Sequence, residues 1–450
     1  MRQLSFNPDL FQHNEPFSTK LTSGTYRDKL SALLESDLDF HGQSSQYLSH
    51  NFHSFPAKFP PQLPRVFIEN LTKPDEIVLD PMMGSGTTIL EAFVTGRRVL
   101  GFDIDPLAQL LCKVKVTPLP LEEVVETGQS VLAQATQCVE KTPHVLQERL
   151  ESRFTPRTRE FVNYWFALET QLELEALLGE IEQISDIHIQ DFFRLTFSAI
   201  IITKSGGVSL ARDLAHTRPH KVADKKPRSA LVEFKKRFQK NYKSLVQLNA
   251  ASLNPTQVDL RYGNAQELPL AEETVDLIVT SPPYAANAID YMRAHKFSLV
   301  WFGYDIETLG EKRRSYIGGE ATSRILLEEL PPATKNVVQE VSERDAKKGR
   351  VLHRYYSEMT RTLAEMLRVL KPGRGAVVVV GTSSMRGIDT RTQDCLADIG
   401  ESLGFDVVGI GVRRLDRDKR MMPARRKKSA SQIEQRMHEE YVLGFYKPLS

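Results

Sequence analysis

The sequence predicts a doubly wound α/β fold, a mostly parallel sheet with an antiparallel C-terminal strand, interrupted by a helical insertion. Three observations predict it. Strand, glycine turn, helix, strand and acid follow one another between residues 76 and 105. The same alternation returns after residue 250. Between the two, residues 119–203 carry helix-period runs and no strand pattern.

The elements justify this in order. Residues 1–50 are polar, with one helical stretch at TYRDKLSALLES, and read as an N-terminal extension. VFIENL is helical and ends at a Lys-Pro-Asp turn; EIVLD is a short buried strand ending on an acid. PMMGSGTT is a turn of small residues, and TILEAFVTG a helix stopped by Gly96. RRVLGFDID is a second strand ending on acids, and LAQLLCKVKV a third helical stretch. This first part of the α/β domain spans 51–118. Residues 119–250 are the insertion, helical and then basic. Residues 251–450 complete the domain. There VDLRYGNAQEL and VDLIVTSPPY are strand-then-loop units, and YYSEMTRTLAEMLRVL is a helix broken by KPGRG. AVVVVGT is a buried strand, QDCLADIGESLG a helix and FDVVGIGVRRL a strand. EEYVLGFYK reads as an antiparallel end to the sheet.

Composition bounds the function. The chain has 450 residues, 26% of them charged and 41% hydrophobic, ordinary values that exclude wholesale disorder. No run of 18 apolar residues occurs, and MRQLSFNPDLFQHNEPF lacks a signal-peptide core. Cys112, Cys138 and Cys395 show no CxxC spacing, which argues against a disulfide framework or zinc site and for a reducing cytoplasm. Net charge is +2, but residues 204–243 carry 12 Lys/Arg against 3 Asp/Glu, and residues 413–428 carry 9 against 2. Two basic segments on an otherwise acidic chain point to a polyanion surface such as nucleic acid. Its expected contacts are Lys221, Lys225, Lys226, Arg228, Lys235, Arg425 and Arg426. His216 and His220 read as loop histidines, so no metal is expected.

The turn Asp80-Pro81-Met82-Met83-Gly84-Ser85-Gly86-Thr87-Thr88 lies between strand and helix. Its glycines let backbone approach a ligand, and the helix N-terminus suits a carboxylate or phosphate. No Lys follows the second glycine, so it is not a P-loop; nor is it GxGxxG. Asp103, 19 residues after Gly84, is spaced to bond ribose hydroxyls, with Asp105 as the spare. The loop Ser281-Pro282-Pro283-Tyr284 follows VDLIVT. Its prolines cannot extend the sheet and stiffen a loop at the edge where α/β ligand sites open. Ser281 Oγ and the Pro282 carbonyl can accept from an exocyclic amino group while Tyr284 offers a stacking face.

Together these motifs resemble the amino-methyltransferases of DNA, and the SPPY form is most similar to their cytosine-N4 group. The resemblance covers roughly residues 50–116 and 255–450, including HSFPAKFPPQLPRVFIE at 53–69. It implies a Rossmann-like methyltransferase fold and S-adenosylmethionine as cofactor, held by Phe55, Lys58, Asp80, Pro81, Gly84, Ser85, Gly86, Thr87 and Asp103. Asn264 and Ala265 fall near the adenine, where the family often has an acid. It implies Ser281, Pro282, Pro283 and Tyr284 as the catalytic loop, and site-specific methylation of a flipped base. A cognate restriction endonuclease is the partner it leaves open. The family's target-recognition region matches either the insertion or residues 302–350, where GYDIETLGEKRRSYIGGEATSR reads as polar and loop-like. Met82 and Met83 could pad the cofactor pocket, and Tyr291 could touch substrate. Adenine N6, an RNA base amino group, and a non-catalytic DNA-binding subunit are the competing readings. No cysteine follows proline, which argues against attack on cytosine C5.

Overall fold

The computed structural model describes residues 21 and 23–449, except 57, 204–206, 213, 215–218, 223, 253–255, 286–289, 320–325, 382 and 416–438. The strands are β1 (Ile77–Asp80), β2 (Arg98–Asp103), β3 (Val258–Tyr262), β4 (Val275–Thr280), β5 (Leu370–Gly381), the hairpin β6 (Ser384–Met385) and β7 (Ile388–Asp389), β8 (Asp406–Arg414) and β9 (Glu439–Tyr446). Seven of them form one sheet in the order β3-β2-β1-β4-β5-β9-β8. Pairs from β3 to β5 are parallel, and β9 runs antiparallel to both neighbours. β4 lies in the middle and is buried at all of its positions, including Asp276, which pairs with Lys371.

Alternate residues of each central strand enter two different cores. Val377 and Val379 face one side of β5, and Ala376, Val378 and Val380 face the other. The first face is covered by α1 (Tyr26–Glu35), α2 (Gln62–Leu71), α3 (Thr87–Val94) and α4 (Pro106–Lys115). The insertion follows as α5 (Leu121–Lys141), α6 (Pro143–Arg153), α7 (Pro156–Trp165), α8 (Leu168–Glu182), α9 (Ile187–Ile201) and α10 (Ala230–Ala251). Its buried Leu174, Leu177, Phe192, Phe193 and Phe234 join the same apolar cluster as Val78 and Leu277 of the sheet. The insertion therefore thickens the first face. Gly128 of α5 lets α10 approach closely: a Cβ there would sit 2.5 Å from the Phe238 ring. The second face is covered by α13 (Pro332–Arg344), α14 (Ala346–Val369) and α15 (Thr392–Leu403), while α11 (Met292–Leu299) and α12 (Ile306–Lys312) lie toward the insertion.

Three expectations change in detail. KPGRG does not separate helix from strand. β5 begins at Leu370, directly after α14, and absorbs the sequence with Gly373 at φ +75° and a register shift against β4 between Val275 and Leu277. EEYVLGFY is antiparallel, as expected, but it is not the sheet's edge; β9 sits between β5 and β8. The stretch GYDIETLGEKRRSYIGGEATSR is not all loop, since it includes α12. Among the described residues, no helix is long and apolar enough to cross a membrane, and no His/Cys/Asp/Glu cluster could hold a metal ion.

Candidate active site

The neighbours β1 and β4 are where the strand order reverses, because the chain crosses away from them in opposite directions. A crevice opens there, beyond their C-terminal ends. It encloses about 880 Å³ of empty space, part of it open to solvent. Ten of the expected cofactor residues line it: Phe55, Lys58, Asp80, Pro81, Gly84, Ser85, Thr87, Asp103, Asn264 and Ala265. Ser281 and Pro283 line it too, so two motifs about 190 residues apart meet in one cleft. Met82, Met83, Tyr291 and Asp105 also face it. Phe59, from the expected 53–69 segment, lines it as do Ile104 and Gly263, and Ala108, Tyr316 and Ile317 line it without a local signal in the sequence.

The glycine turn divides its work. Gly84 has φ +43° and donates its N–H to Asp103 Oδ2 at 2.8 Å. Gly86 has φ +71° at the N-cap of α3 and does not line the cleft. A Cβ on Gly86 would lie 2.7 Å from Cys112 Sγ, so this glycine lets α3 and α4 pack together. Beneath the turn, the fully buried Lys115 donates to the Ser85 carbonyl. Burial holds its ammonium down to about 8. Nearby, buried Glu91 accepts from Tyr47 and pairs with His50 at 2.7 Å and Arg65 at 3.5 Å. Its carboxyl is pushed up to about 7 by burial.

Three acids sit at the strand ends. Asp80 accepts from Thr280 Oγ1 at 2.7 Å, tying β1 to β4, and burial pushes it up to about 6. Asp103 accepts from Gly84 and from the Asp105 N–H at 2.8 Å. Loss of water, then the charge of Asp105, push its carboxyl up to about 7. Asp105 is committed to structure. Its Oδ1 caps α4 at Leu107 N, 2.8 Å, and its Oδ2 meets His295 Nδ1 at 2.6 Å and Tyr316 OH at 2.9 Å. Burial opposes its ionisation, but His295 and these donors hold it below the usual aspartate value. Asp105 thus fixes α11 and Tyr316 against the cleft, while Asp103, bonded to two backbone N–H groups, lines it.

In the SPPY loop, Ser281 Oγ donates to the Val379 carbonyl of β5 at 3.0 Å. Its proton is thereby occupied, and its lone pairs remain for a donor in the cleft. Pro282 and Tyr284 do not line the cleft. Tyr284 is half-buried, and its OH donates to Glu440 Oε1 at 3.0 Å. Phe55 and Tyr291 lie with ring centroids 4.9 Å apart at the other wall.

The basic segments behave unevenly. Lys225 donates to the carbonyls of Gly207, Ser209 and Ala211 at 2.6–3.0 Å, so its ammonium is turned inward rather than toward a phosphate. Lys226, Arg228 and Lys235 are exposed, and Arg228 lies 3.7 Å from Glu233. Lys221 is exposed and sits 4.7 Å over the ring of exposed Tyr164. His216, Arg425 and Arg426 lie outside the described residues.

A family model described as DNA methylase, of the N6/N4 methyltransferase kind, matches residues 25–111. The chain is 24% identical to the Type II methyltransferase M.MvaI of Kocuria varians over 400 residues, 83% of this chain and 86% of that protein. It is 22% identical to the Type II methyltransferase M.BsoBI of Geobacillus stearothermophilus, over 89% and 88% of the two chains. A shorter match of 67 residues, 39% identical, links it to the Type II methyltransferase M.PvuII of Proteus hauseri, over 14% and 20% of the two chains.

Proposed function

We infer, for a chain that belongs to the amino-methyltransferases of DNA, that it methylates the exocyclic N4 amino group of cytosine at a specific DNA site. The observation that carries this reading is Ser281, which lines the cleft with its own proton already donated to the Val379 carbonyl. A hydroxyl fixed in that way can only accept, and an amino group can only be held there as donor. The preference for cytosine over adenine rests on the likeness of SPPY to the cytosine-N4 group.

The family's methyl donor is S-adenosylmethionine, and the donor set fits it. Gly84 takes the left-handed φ of +43° that the turn needs, and even a Cβ there would only touch the Phe55 ring at 3.5 Å. The N-terminus of α3 and Lys58 suit a carboxylate. Asp80 and Asp103 suit the cationic groups and the ribose hydroxyls, Asn264 and Ala265 the adenine edge, and Phe55 and Tyr291 the apolar remainder. Bound there, the cofactor supplies an electrophilic methyl group.

The protein's part is placement. A stacked base cannot reach this cleft, so the target cytosine leaves the duplex and lies against Tyr284. Ser281 Oγ and the Pro282 carbonyl accept from its amino group, which aims the nitrogen lone pair across the cleft. The N–C bond forms from that lone pair as the methyl's S–C bond breaks, and the nitrogen then loses a proton to solvent. Serine is a poor base, so rate comes from orientation more than proton abstraction.

For the DNA, the two expected recognition segments meet. Thr155 and Thr158, flanking the start of α7, contact Asp305, which caps α12, and Arg157 pairs with Glu307. Lys296 lies 5.1 Å over the Phe161 ring of α7, while Arg293 and Arg313 share Asp290 beside the SPPY loop. From Lys221 through Lys296 to Arg313, this ridge leads to Tyr316 at the cleft wall. We take it as the phosphate-contacting face. Product identity tests the whole reading: incubate with S-adenosylmethionine and DNA from a methylation-free host, digest, and identify nucleosides by mass spectrometry. N4-methyldeoxycytidine is expected. N6-methyldeoxyadenosine would overturn the base assignment, and a blank would overturn the activity.

A further inference from the structure

We propose that Glu440, fixed by Arg413, is a positioning residue that holds and polarises Tyr284 against the target base. The inference rests on the reading of Tyr284 as the face on which the base stacks. Tyr284 OH donates to Glu440 Oε1 at 3.0 Å, and Glu440 Oε2 pairs with Arg413 Nη1. Glu440 and Arg413 are cross-strand partners on β9 and β8, and Glu440 also faces Gly381 of β5. Both are buried, at 8% and 5% exposed. The tyrosine is thus tethered at its tip to a carboxylate that the sheet itself holds in register.

A merely structural role explains this poorly. A buried ion pair is often no better for stability than apolar side chains of similar volume. Here the arrangement also leaves Arg413 Nε buried without a hydrogen-bond partner among the described residues. The phenol stays protonated, because burial and the Glu440 charge hold it well above its ordinary value. It is therefore a permanent donor to a carboxylate.

Two consequences favour methyl transfer to an amino group. The tether fixes the plane of a half-exposed ring, and placement errors near 1 Å can cost about 100-fold in rate. The transfer also moves positive charge from sulfur to the base nitrogen. A phenol that donates to a carboxylate presents a more electron-rich face to that charge, and ring faces attract cations.

The test is single-turnover transfer of tritiated methyl from S-adenosylmethionine to DNA from a methylation-free host. Y284F keeps the ring, removes the tether and leaves the Glu440–Arg413 pair in place. It should slow transfer roughly 10- to 100-fold, with cofactor affinity within about twofold of wild type. E440Q should slow transfer similarly, and the double variant should be no slower than the worse single. Independent, multiplying effects of Y284F and E440Q would overturn the proposal. So would wild-type rates in Y284F beside an inactive Y284A, a result that leaves the stacking reading standing. Wild-type rates in Y284A would remove the stacking reading itself. If E440Q does not fold, the comparison of Y284F with Y284A decides alone.

Discussion

Replacing Asp103 with asparagine separates a ligand-binding acid from a structural one. Asp103 accepts two backbone N–H groups at 2.8 Å, and loss of water and the Asp105 charge push it up to about 7. Ribose hydroxyls and cations bind the ionised form, so protons compete with the cofactor. With that value the ionised fraction is about 0.9 at pH 8 and about 0.1 at pH 6. Apparent affinity scales with the competent fraction. Wild-type affinity should therefore fall about tenfold between those pH values, or ~1.4 kcal/mol. In D103N, loss of charge-assisted hydrogen bonds of about 1.5–3 kcal/mol should weaken binding about 10- to 150-fold at pH 8. The steep part of the pH dependence should vanish with it. Calorimetric titration of both proteins with S-adenosylmethionine at pH 8, 7 and 6 reads this, because the ligand's own titration cancels between them. Stability should move the other way. An acid raised in the folded state binds its proton more tightly there, so the free wild-type protein loses stability as pH climbs from the ordinary aspartate value through about 7. Free D103N has no such ionisation, so this part of the pH dependence of its melting temperature should be absent, whatever its absolute melting temperature. Equal pH slopes, or unchanged affinity in D103N, would refute the assignment.

Three further outcomes follow from the same structure. G86A must hold alanine at φ +71° and displace Cys112 from 2.7 Å. Left-handed backbone and overpacking together should cost about 2–5 kcal/mol, read as an earlier urea midpoint. G84A, with only ring atoms at 3.5 Å, should lose less stability and more cofactor affinity, and the reverse ranking would contradict the division of the turn. Tyr284→Ala should reduce the methylation rate with little change in cofactor affinity, measured by transfer rate and calorimetry side by side. Replacing Lys221, Lys296 or Arg313 with alanine should lower the slope of log affinity for DNA against log salt by about 0.9 per lost phosphate contact. Lys225→Ala should leave that slope unchanged and lower the melting temperature, because its ammonium is already held by three carbonyls.

Much of the site was legible because its signals are local. A glycine turn between strand and helix, an acid closing the next strand and a proline pair after a buried strand each report what the neighbouring backbone must do. Side-chain direction was not legible. Gly86 has the same local pattern as Gly84, yet its bare face meets Cys112 of α4, a contact made across 26 residues. Lys225 stands in a basic run but is captured by carbonyls of a preceding segment. Tyr316 and Ile317 reach the cleft from a polar stretch with no strand or helix period, tied there by the Asp105 carboxylate. Strand neighbours were also beyond reach. The β-type run at 439–446 announces a strand but not that its partners are β5 and β8 on either side.

That placement of β9 governs the order in which the molecule can be assembled. The ribosome delivers β8 before β9, yet in the native sheet β8 pairs with no strand but β9. Until residues 439–446 emerge, β8 has no strand to pair with and β5 presents Val377–Val380 as an open, apolar edge, a template for pairing with other chains. β9 is thus a keystone: the cleft walls at β1, β2 and β4 can form before it, while Tyr284 acquires its tether only when β9 slides home.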